Sequence, residues 1–206
     1  MTSHGPASSA SSSRTRSDGV LLFDTGFGFG NRGARARYRP RSRRVADVVV
    51  EHGLRPEAID VVANCHLHAD HAGQNARLPG IPVHVQPAEL AVARAGDYTL
   101  LDWIDGPGVR YERVAGDHDI ARGVGILATP GHSPGHQSLV VDQADGPLVL
   151  AGQAVYGPGE WSGKPGAREG RSSAWDQARY DASAARLRAL DPARVLFGHD
   201  RRPWLR

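Results

Sequence analysis

The sequence predicts an α+β fold in which two β-sheets pack face to face and helices cover the outside. Two observations favour this class: short apolar runs bounded by Gly and Pro recur along the chain, and helical periodicity separates only some of them. A doubly wound parallel sheet would need a helix after nearly every strand, so it fits this order less well. The chain has 206 residues, 40% of them hydrophobic and 23% charged, and residues 19–206 are long enough for one domain with a buried core.

The strands are predicted from short apolar or alternating runs. Val20–Phe23 leads into a glycine-rich loop, and Ile59–Ala63 leads almost directly into His66. Asp145 and Gly146 separate two further runs and predict a hairpin. The predicted strands are 20–23, 59–63, 82–85, 109–114, 124–129, 137–141, 148–150 and 194–197.

Three helices are predicted, over 42–52, 87–95 and 176–190. In the first, Val45 and Val49 recur at helical spacing and Gly53 follows where a C-terminal cap belongs. Before the last, Ser173 and Asp176 resemble a capping box, which predicts the start of that helix.

Composition excludes several classes of protein. No stretch approaches the roughly 18 apolar residues that a membrane-spanning helix needs, so no membrane partner is expected. A single cysteine, Cys65, excludes a disulfide framework and a zinc site made of cysteines alone. Residues 1–18 are serine-rich and predicted to be disordered. They lack the apolar core of a secretory signal, which predicts a cytoplasmic protein.

The basic residues are almost all arginine, and seven of them fall between Arg32 and Arg44. Such a cluster can bind phosphate or nucleic acid through paired hydrogen bonds. The alternative is a solvated, arginine-rich loop and first helical turn. The formal net charge is only +3, so we favour the second interpretation and expect no nucleic-acid partner.

The strongest chemical signal is a cluster of three histidines and a carboxylate in six residues, immediately after a predicted strand. His66 and His68 are two residues apart, so on an extended backbone their side chains point the same way and can share one metal ion. Asp70 and His71 follow where the chain turns and can face a second ion. Imidazole nitrogen and carboxylate oxygen suit zinc, and also iron, manganese or cobalt.

Two more histidines lie in glycine-containing turns at the ends of predicted strands. His132 follows Thr-Pro-Gly, and His199 follows Phe-Gly. Loops at strand ends are where a scaffold usually presents functional groups. His52, His84 and His118 lack such a setting, and we interpret them as ordinary surface or core residues.

These motifs, together with the Asp-Thr-Gly at 24–26, resemble the metallo-β-lactamase fold superfamily from about Val20 to His199. The resemblance implies a four-layer αββα sandwich with a dinuclear metal site at one edge, holding Zn²⁺ or, alternatively, Mn²⁺, Fe²⁺ or Co²⁺. It assigns to the first ion the ligands His66, His68 and His132, and to the second ion the ligands Asp70, His71 and His199.

One position departs from the family pattern. Relatives usually carry a metal-bridging aspartate in a Gly-Asp pair, and the matching residue here is Gln153. A neutral amide cannot offset the charge of two dications. We therefore expect one ion, or a second ion held less tightly than in relatives; an impaired metal-binding protein is the alternative.

Two bound dications would lower the pKa of a water towards neutrality, and Asp70 can orient that water and pass a proton to a leaving group. Tyr156 matches a tyrosine that holds the lactone carbonyl in the acyl-homoserine lactonase branch, which the chain resembles. The implied reaction is opening of a lactone ring. Phe27, Phe29 and Trp161 are candidates to line an acyl pocket.

Other hydrolases use the same ligands. A glyoxalase-II-like thioesterase would need a basic pocket, which the Arg32–Arg44 cluster could supply. A phosphodiesterase is less favoured because no extra RNA-binding arm is evident. A β-lactamase is disfavoured because Cys65 is expected on the opposite face of the strand, as a core residue. A non-catalytic metal-binding protein is a further alternative.

Relatives usually have two or more strands before the Asp-Thr-Gly turn, whereas here only the serine-rich tail precedes it. The first sheet is therefore predicted to lack N-terminal strands. An unpaired edge invites a second chain, so a homodimer is expected as one outcome. A misplaced start codon is the alternative explanation.

Overall fold

The computed structural model describes residues 19–167 and 170–206, so the disorder predicted for 1–18 falls outside the described residues. The strands are β1 Val20–Phe23, β2 Ile59–Ala63, β3 Pro82–Val85, β4 Arg110–Arg113, β5 His118–Ala121, β6 Val124–Ala128, β7 Gln137–Val141, β8 Leu148–Leu150, β9 Arg194–Leu196 and β10 Trp204–Leu205. The α-helices are α1 Arg32–Tyr38, α2 Val45–Glu51, α3 Pro87–Arg94, α4 Leu101–Ile104, α5 Pro158–Trp161 and α6 Gln177–Arg188.

The strands form two sheets. The first has the order β1-β2-β3-β4 and all its pairs are parallel. The second has the order β10-β9-β8-β7-β6-β5 and is antiparallel except for the pair β8 and β9. Most neighbouring strands of the second sheet are therefore joined by hairpins, whereas the parallel strands of the first sheet are joined by helical crossovers. The prediction of two sheets is confirmed.

Alternation along the strands sorts the apolar side chains into layers. On β1, Leu22 packs with Val49 of α2, on the helix side of the first sheet. Its neighbour Phe23 packs instead with Ile126 and Leu139, between the two sheets.

The second sheet shows the same division. Leu150 of β8 packs between the sheets. Val149, one residue earlier, packs with Leu187 of α6 on the outer side. The order of layers is helix, sheet, sheet, helix, which confirms the predicted αββα sandwich.

Helix α1 was not predicted, because it has no apolar face: none of its residues is buried. Its ends are defined by local hydrogen bonds instead. Asn31 caps the N-terminus, accepting from the backbone N–H of Ala34 at 2.9 Å, and Arg39 ends the helix in the left-handed conformation with φ 44°. At α6 the predicted capping residue was wrong: Asp176, rather than Ser173, caps the helix by accepting from the N–H of Arg179 at 3.0 Å.

Strand β1 is the edge of the first sheet in the part of the chain that the structure describes. All four of its residues are only partly buried. Pairing of this edge with a second copy stays a prediction.

No helix among the described residues has the length and apolarity needed to cross a bilayer.

Truncating Leu187 to Ala should lower the free energy of unfolding by about 2–5 kcal/mol, because this side chain is fully buried between α6 and the second sheet. Leu205, which is 60% exposed, provides the matched control: Leu205→Ala should change stability by less than about 0.5 kcal/mol. Urea unfolding followed by circular dichroism measures both. Equal losses for the two variants would contradict the layer assignment.

Candidate metal centre

The predicted ligands come together where strands of both sheets end. His66, His68 and His71 follow β2 of the first sheet, His132 follows β6 of the second, and His199 follows β9. The segment after β8 carries Gln153 and Tyr156 to the same place. Residues up to 133 positions apart thus converge because the ends of these strands share one edge of the sandwich.

The first group consists of His66, His68 and His132. Nε2 of His66 lies 2.8 Å from Nδ1 of His68, and Nε2 of His132 lies 3.4 Å from the same Nδ1. His66 is fully buried and His132 nearly so. We call these three residues the first triad.

The second group consists of Asp70, His71 and His199. The two Nε2 atoms of His71 and His199 are 3.2 Å apart, and Oδ2 of Asp70 lies 3.6 Å and 3.5 Å from them. We call these residues the second triad. The rings of His66 and His71 are 4.3 Å apart between centroids, so the two triads adjoin.

These donor sets fit divalent ions. Four ligands about 2 Å from a tetrahedral zinc ion lie about 3.3 Å from one another, close to the separations within each triad. The site also contains a buried oxygen without a hydrogen-bond partner, Oε1 of Gln153. Buried polar atoms are usually satisfied, so an unpaired one beside six potential ligands points to a bound cation.

Burial keeps the first triad neutral. It lowers the pKa of His66 well below the usual histidine value, and the neighbouring histidines lower it further. Burial and the nearby His68 lower the pKa of His132 to about 3. Burial also lowers the pKa of His68. A metal binds only the neutral imidazole, so these rings have a lone pair available at neutral pH.

The pKa of His71 is shifted in the opposite direction from those of the first triad, because a carboxylate contacts its Nδ1. Burial alone would lower its pKa, but Asp24 Oδ2 lies 2.8 Å from its Nδ1, and the net effect raises the pKa of His71. Asp24 has a φ of 63° and also accepts from the backbone N–H of Cys65 at 2.8 Å. A carboxylate on the far nitrogen of a ligating histidine fixes the ring orientation and its tautomer.

Cys65 is buried, as expected, but it does not point away from the site. Its Sγ lies 3.0 Å from Asp24 Oδ2, 3.0 Å from Nδ1 of His66 and 3.3 Å from Nδ1 of His71. The expectation of an opposite strand face was wrong, because β2 ends at Ala63 and Cys65 lies in a bend beyond it. Burial and Asp24 raise the pKa of the Cys65 thiol well above its usual value.

His136 and Glu89 were not singled out from the sequence, and both support the site from behind. His136 is fully buried: its Nδ1 contacts Thr129, and its Nε2 accepts from the backbone N–H of Gln153 at 2.9 Å. Glu89, on α3, accepts hydrogen bonds from Leu67 and Ser133. The partners of Glu89 lie 22 and 44 positions away, so no local pattern could have identified this residue.

Gln153 and Tyr156 adjoin the second triad. The amide Nε2 of Gln153 donates to the Tyr156 hydroxyl at 2.8 Å. The Tyr156 ring stacks on His199 with centroids 5.4 Å apart and planes tilted by 18°.

A cavity of about 1180 Å³ opens beside the triads. Its lining includes the triad residues His68, Asp70, His71 and His199. Most of the other lining side chains are apolar or aromatic, among them Phe27, Ala34, Tyr38, Pro40 and Leu100, and the polar exceptions include Asn31, Arg37, Asp97 and Thr99. The Phe27 ring packs between Tyr38 and Trp103, at centroid distances of 5.7 Å and 5.1 Å. The cavity therefore combines a cluster of metal-binding groups with a largely apolar wall.

The three aromatic candidates for an acyl pocket are placed differently. Phe27 lines the large cavity. Phe29 lines a neighbouring pocket and lies between the guanidinium groups of Arg35 and Arg77. Trp161 is a core residue, packed under the second sheet against Trp204, and not a cavity residue.

Curated relatives are N-acyl homoserine lactonases. One from Bacillus sp is 32% identical over 161 residues, covering 76% of this chain and 62% of that protein. Another from Bacillus cereus is 37% identical over 107 residues, covering 52% of this chain and 42% of that protein. The chain thus spans about two fifths to three fifths of the length of these relatives.

Solved structures share the fold. A quorum-quenching N-acyl homoserine lactone lactonase superposes with a TM-score of 0.75 at 28% identity, covering 90% of this chain and 76% of the other. An N-acyl homoserine lactone hydrolase, with the product N-hexanoyl-L-homoserine bound at its catalytic metal centre, gives a TM-score of 0.76 at 26% identity, covering 90% and 78%.

The family model described as the Metallo-beta-lactamase superfamily matches residues 14–199, which include both triads. With this match, the αββα layers and the converged ligands, the chain belongs to the metallo-β-lactamase superfamily.

Proposed function

We propose that this chain is a metal-dependent hydrolase that opens the ring of N-acyl homoserine lactones or closely similar lactones, with zinc as its metal. The observation that carries the proposal is the position of two adjoining ligand triads beside a cavity with an apolar wall. The relatives named N-acyl homoserine lactonase support the choice of substrate. Mn²⁺, Fe²⁺ and Co²⁺ suit the same donor atoms.

The two triads would hold the ions, one each. Divalent ions bound there supply Lewis acidity, which polarises a carbonyl and makes hydroxide available near neutral pH. The apolar wall around Phe27, Tyr38 and Leu100 suits the acyl chain of the substrate. Burial of that chain places the lactone ring at the histidine side of the cavity.

We assign the proton transfer to Asp70. Its side chain is 43% exposed, it lines the cavity, and it lies beside the second triad histidines. A carboxylate there accepts a hydrogen bond from the attacking water. Hydroxide adds to the carbonyl carbon, the bond from that carbon to the ring oxygen breaks, and the proton passes through Asp70 to the departing alkoxide. The product is the open-chain hydroxy acid.

We assign to Tyr156 the stabilisation of developing negative charge. Its hydroxyl lies beside Gln153 and its ring stacks on His199, which lines the cavity. A phenol can accept one hydrogen bond and donate another, and its donation to the carbonyl oxygen would strengthen as the oxyanion forms.

One observation favours a second candidate function. Arg37 also lines the cavity, so an acidic thioester of the kind that glyoxalase-II-like enzymes cleave would find a cation there. Initial rates with an acyl-homoserine lactone, an acidic thioester and bis-p-nitrophenyl phosphate separate the candidates. The lactone should be the preferred substrate by kcat/KM, and preference for the thioester would replace the first proposal by the second.

Chelation should abolish lactone hydrolysis, and added Zn²⁺ should restore it, because the ligands alone cannot activate water. The measurement follows ring opening of N-hexanoyl-homoserine lactone before chelation, after dialysis against chelator and after readdition. His52→Ala, on an exposed histidine outside the triads, is the control and should behave like the unmodified protein. Turnover that survives chelation would exclude the proposed chemistry.

Replacing Tyr156 with Phe should lower kcat about 10²-fold, since one donor to the oxyanion is lost. The ring stacked on His199 is retained, so KM should change little. Tyr111→Phe is the matched control, because its hydroxyl donates to the carbonyl of Ile104 at 2.8 Å, away from the triads. Equal kinetics for the two variants would remove Tyr156 from the mechanism.

Because residue 153 is a glutamine, we predict that the two ions bind with unequal affinities. The unpaired Oε1 of Gln153 is buried beside the triads but carries no charge, so the second ion should bind less tightly than the first. Gln153→Asp should tighten the second ion by about tenfold or more by adding a charge at short range. Zinc titration of the metal-free protein measures both constants, with the neutral Gln153→Asn as control. Two equally tight ions in the unmodified protein would contradict this expectation.

A further inference from the structure

Glu89 is a fully buried carboxylate in the first turn of α3. A buried charge is costly unless hydrogen bonds replace its hydration. Oε1 accepts from the backbone N–H of Leu67 at 2.9 Å and from the Tyr98 hydroxyl. Oε2 accepts from Ser133 Oγ at 2.7 Å and from the N–H of Gly135 at 3.1 Å. Four donors fill the usual capacity of a carboxylate, so Glu89 is satisfied without a cation.

Three of the four donors belong to the segments that carry the first triad. Leu67 lies between His66 and His68, on the turn after β2. Ser133 and Gly135 follow His132, on the turn after β6 of the other sheet. One carboxylate therefore joins two turns from different sheets, both of which deliver ligands to the same ion.

Two further contacts tighten this connection. The ring of Tyr98, which donates to Glu89, stacks on His68 with centroids 4.4 Å apart and planes tilted by 30°. The turn after His132 packs directly on α3: a Cβ at Gly135 would collide with the backbone of Glu89. The contact thus depends on a residue without a side chain, and it fixes the distance between the turn and the helix.

The second triad has a separate support. Asp24, not Glu89, contacts His71, through Nδ1 at 2.8 Å. All four hydrogen bonds described for Glu89 go to the segments around the first triad and to Tyr98. The two halves of the centre are therefore held by two different carboxylates, the buried Glu89 and the partly buried Asp24.

We infer that Glu89 is a positioning residue for the first ion: its carboxylate holds the turns of His66, His68 and His132 together and sets the affinity of that subsite independently of the second. The inference rests on the proposed metal-dependent activity, but it concerns ion binding and does not require that the substrate be a lactone. Groups behind metal ligands typically contribute 10–100-fold to affinity, about the effect expected here.

The test is Glu89→Gln, which keeps the shape of the side chain and removes its charge. In either orientation of the glutamine amide, its NH₂ group would face two hydrogen-bond donors and could not accept from them. One of the two turns therefore loses its hydrogen bonds to residue 89. Each subsite is isolated by a second substitution: His199→Ala leaves the first triad intact, and His132→Ala leaves the second. Zinc affinity is measured on metal-free protein by competition with a chromophoric chelator.

In the His199→Ala background, Glu89→Gln should weaken zinc binding by about 10–100-fold. In the His132→Ala background it should leave zinc affinity unchanged within about twofold. Equal weakening in both backgrounds would show that Glu89 acts only on overall stability, and no change in either would show that it does not position the ligands. Both outcomes overturn the inference.

Gln86→Met controls for general damage. Gln86 precedes α3 and bonds to Gly116 and Gln137, not to the turns of the triads. The Gln86→Met variant should be less stable in urea than the unmodified metal-free protein, without a change of zinc affinity in either background.

If Glu89→Gln does not fold, Ser133→Ala is the alternative variant. It removes a single donor to Glu89 and should weaken zinc binding at the first subsite alone, by a smaller factor. If the unmodified protein binds both ions but does not hydrolyse lactones, the proposed function is refuted, whereas this inference still stands.

Discussion

The centre depends on holding five imidazoles and a carboxylate close together at an edge shared by two sheets. In the first triad, Nε2 of His66 and Nε2 of His132 lie 2.8 Å and 3.4 Å from Nδ1 of His68. Burial removes the water that would otherwise solvate these polar nitrogens, which is costly for the folded protein. The fold must therefore impose it, and a bound cation turns it from unfavourable to favourable.

The scaffold imposes it through two carboxylates, one buried and one partly buried, and a buried histidine. Asp24 at the end of β1 holds His71, Glu89 on α3 joins the two turns of the first triad, and His136 holds the backbone of Gln153. These contacts come from both sheets and from a helix of the outer layer. Rigid strand ends supply the approximate positions, and the buried hydrogen bonds supply the final orientation.

Much of this arrangement could be predicted from sequence, and the reasons are local. Six predicted ligands were recognisable because each follows an apolar run within a short turn, as with His132 after Thr-Pro-Gly. The strands themselves follow from short apolar or alternating runs bounded by turns; β2 and β7 have the predicted bounds. The family resemblance supplied the grouping of the ligands into two triads.

The other features of the site could not be predicted, because they depend on contacts between residues that are distant in sequence. Glu89 lies 22 positions from Leu67 and 44 from Ser133, and nothing near it in sequence distinguishes it from a surface glutamate at a helix start. Trp161 appeared equally suited to a pocket or a core until the packing of α6 placed it in the core. Helix α1 has no apolar face, so its role as a wall of the cavity, through Arg37 and Tyr38, had no periodic signal.

Anomalous X-ray diffraction at the zinc edge, from crystals of the protein grown with stoichiometric zinc, tests the central claim most directly. The account predicts one strong peak among His66, His68 and His132, and a second peak of lower occupancy among Asp70, His71 and His199. Zinc bound elsewhere on the surface, with neither triad occupied, would contradict it.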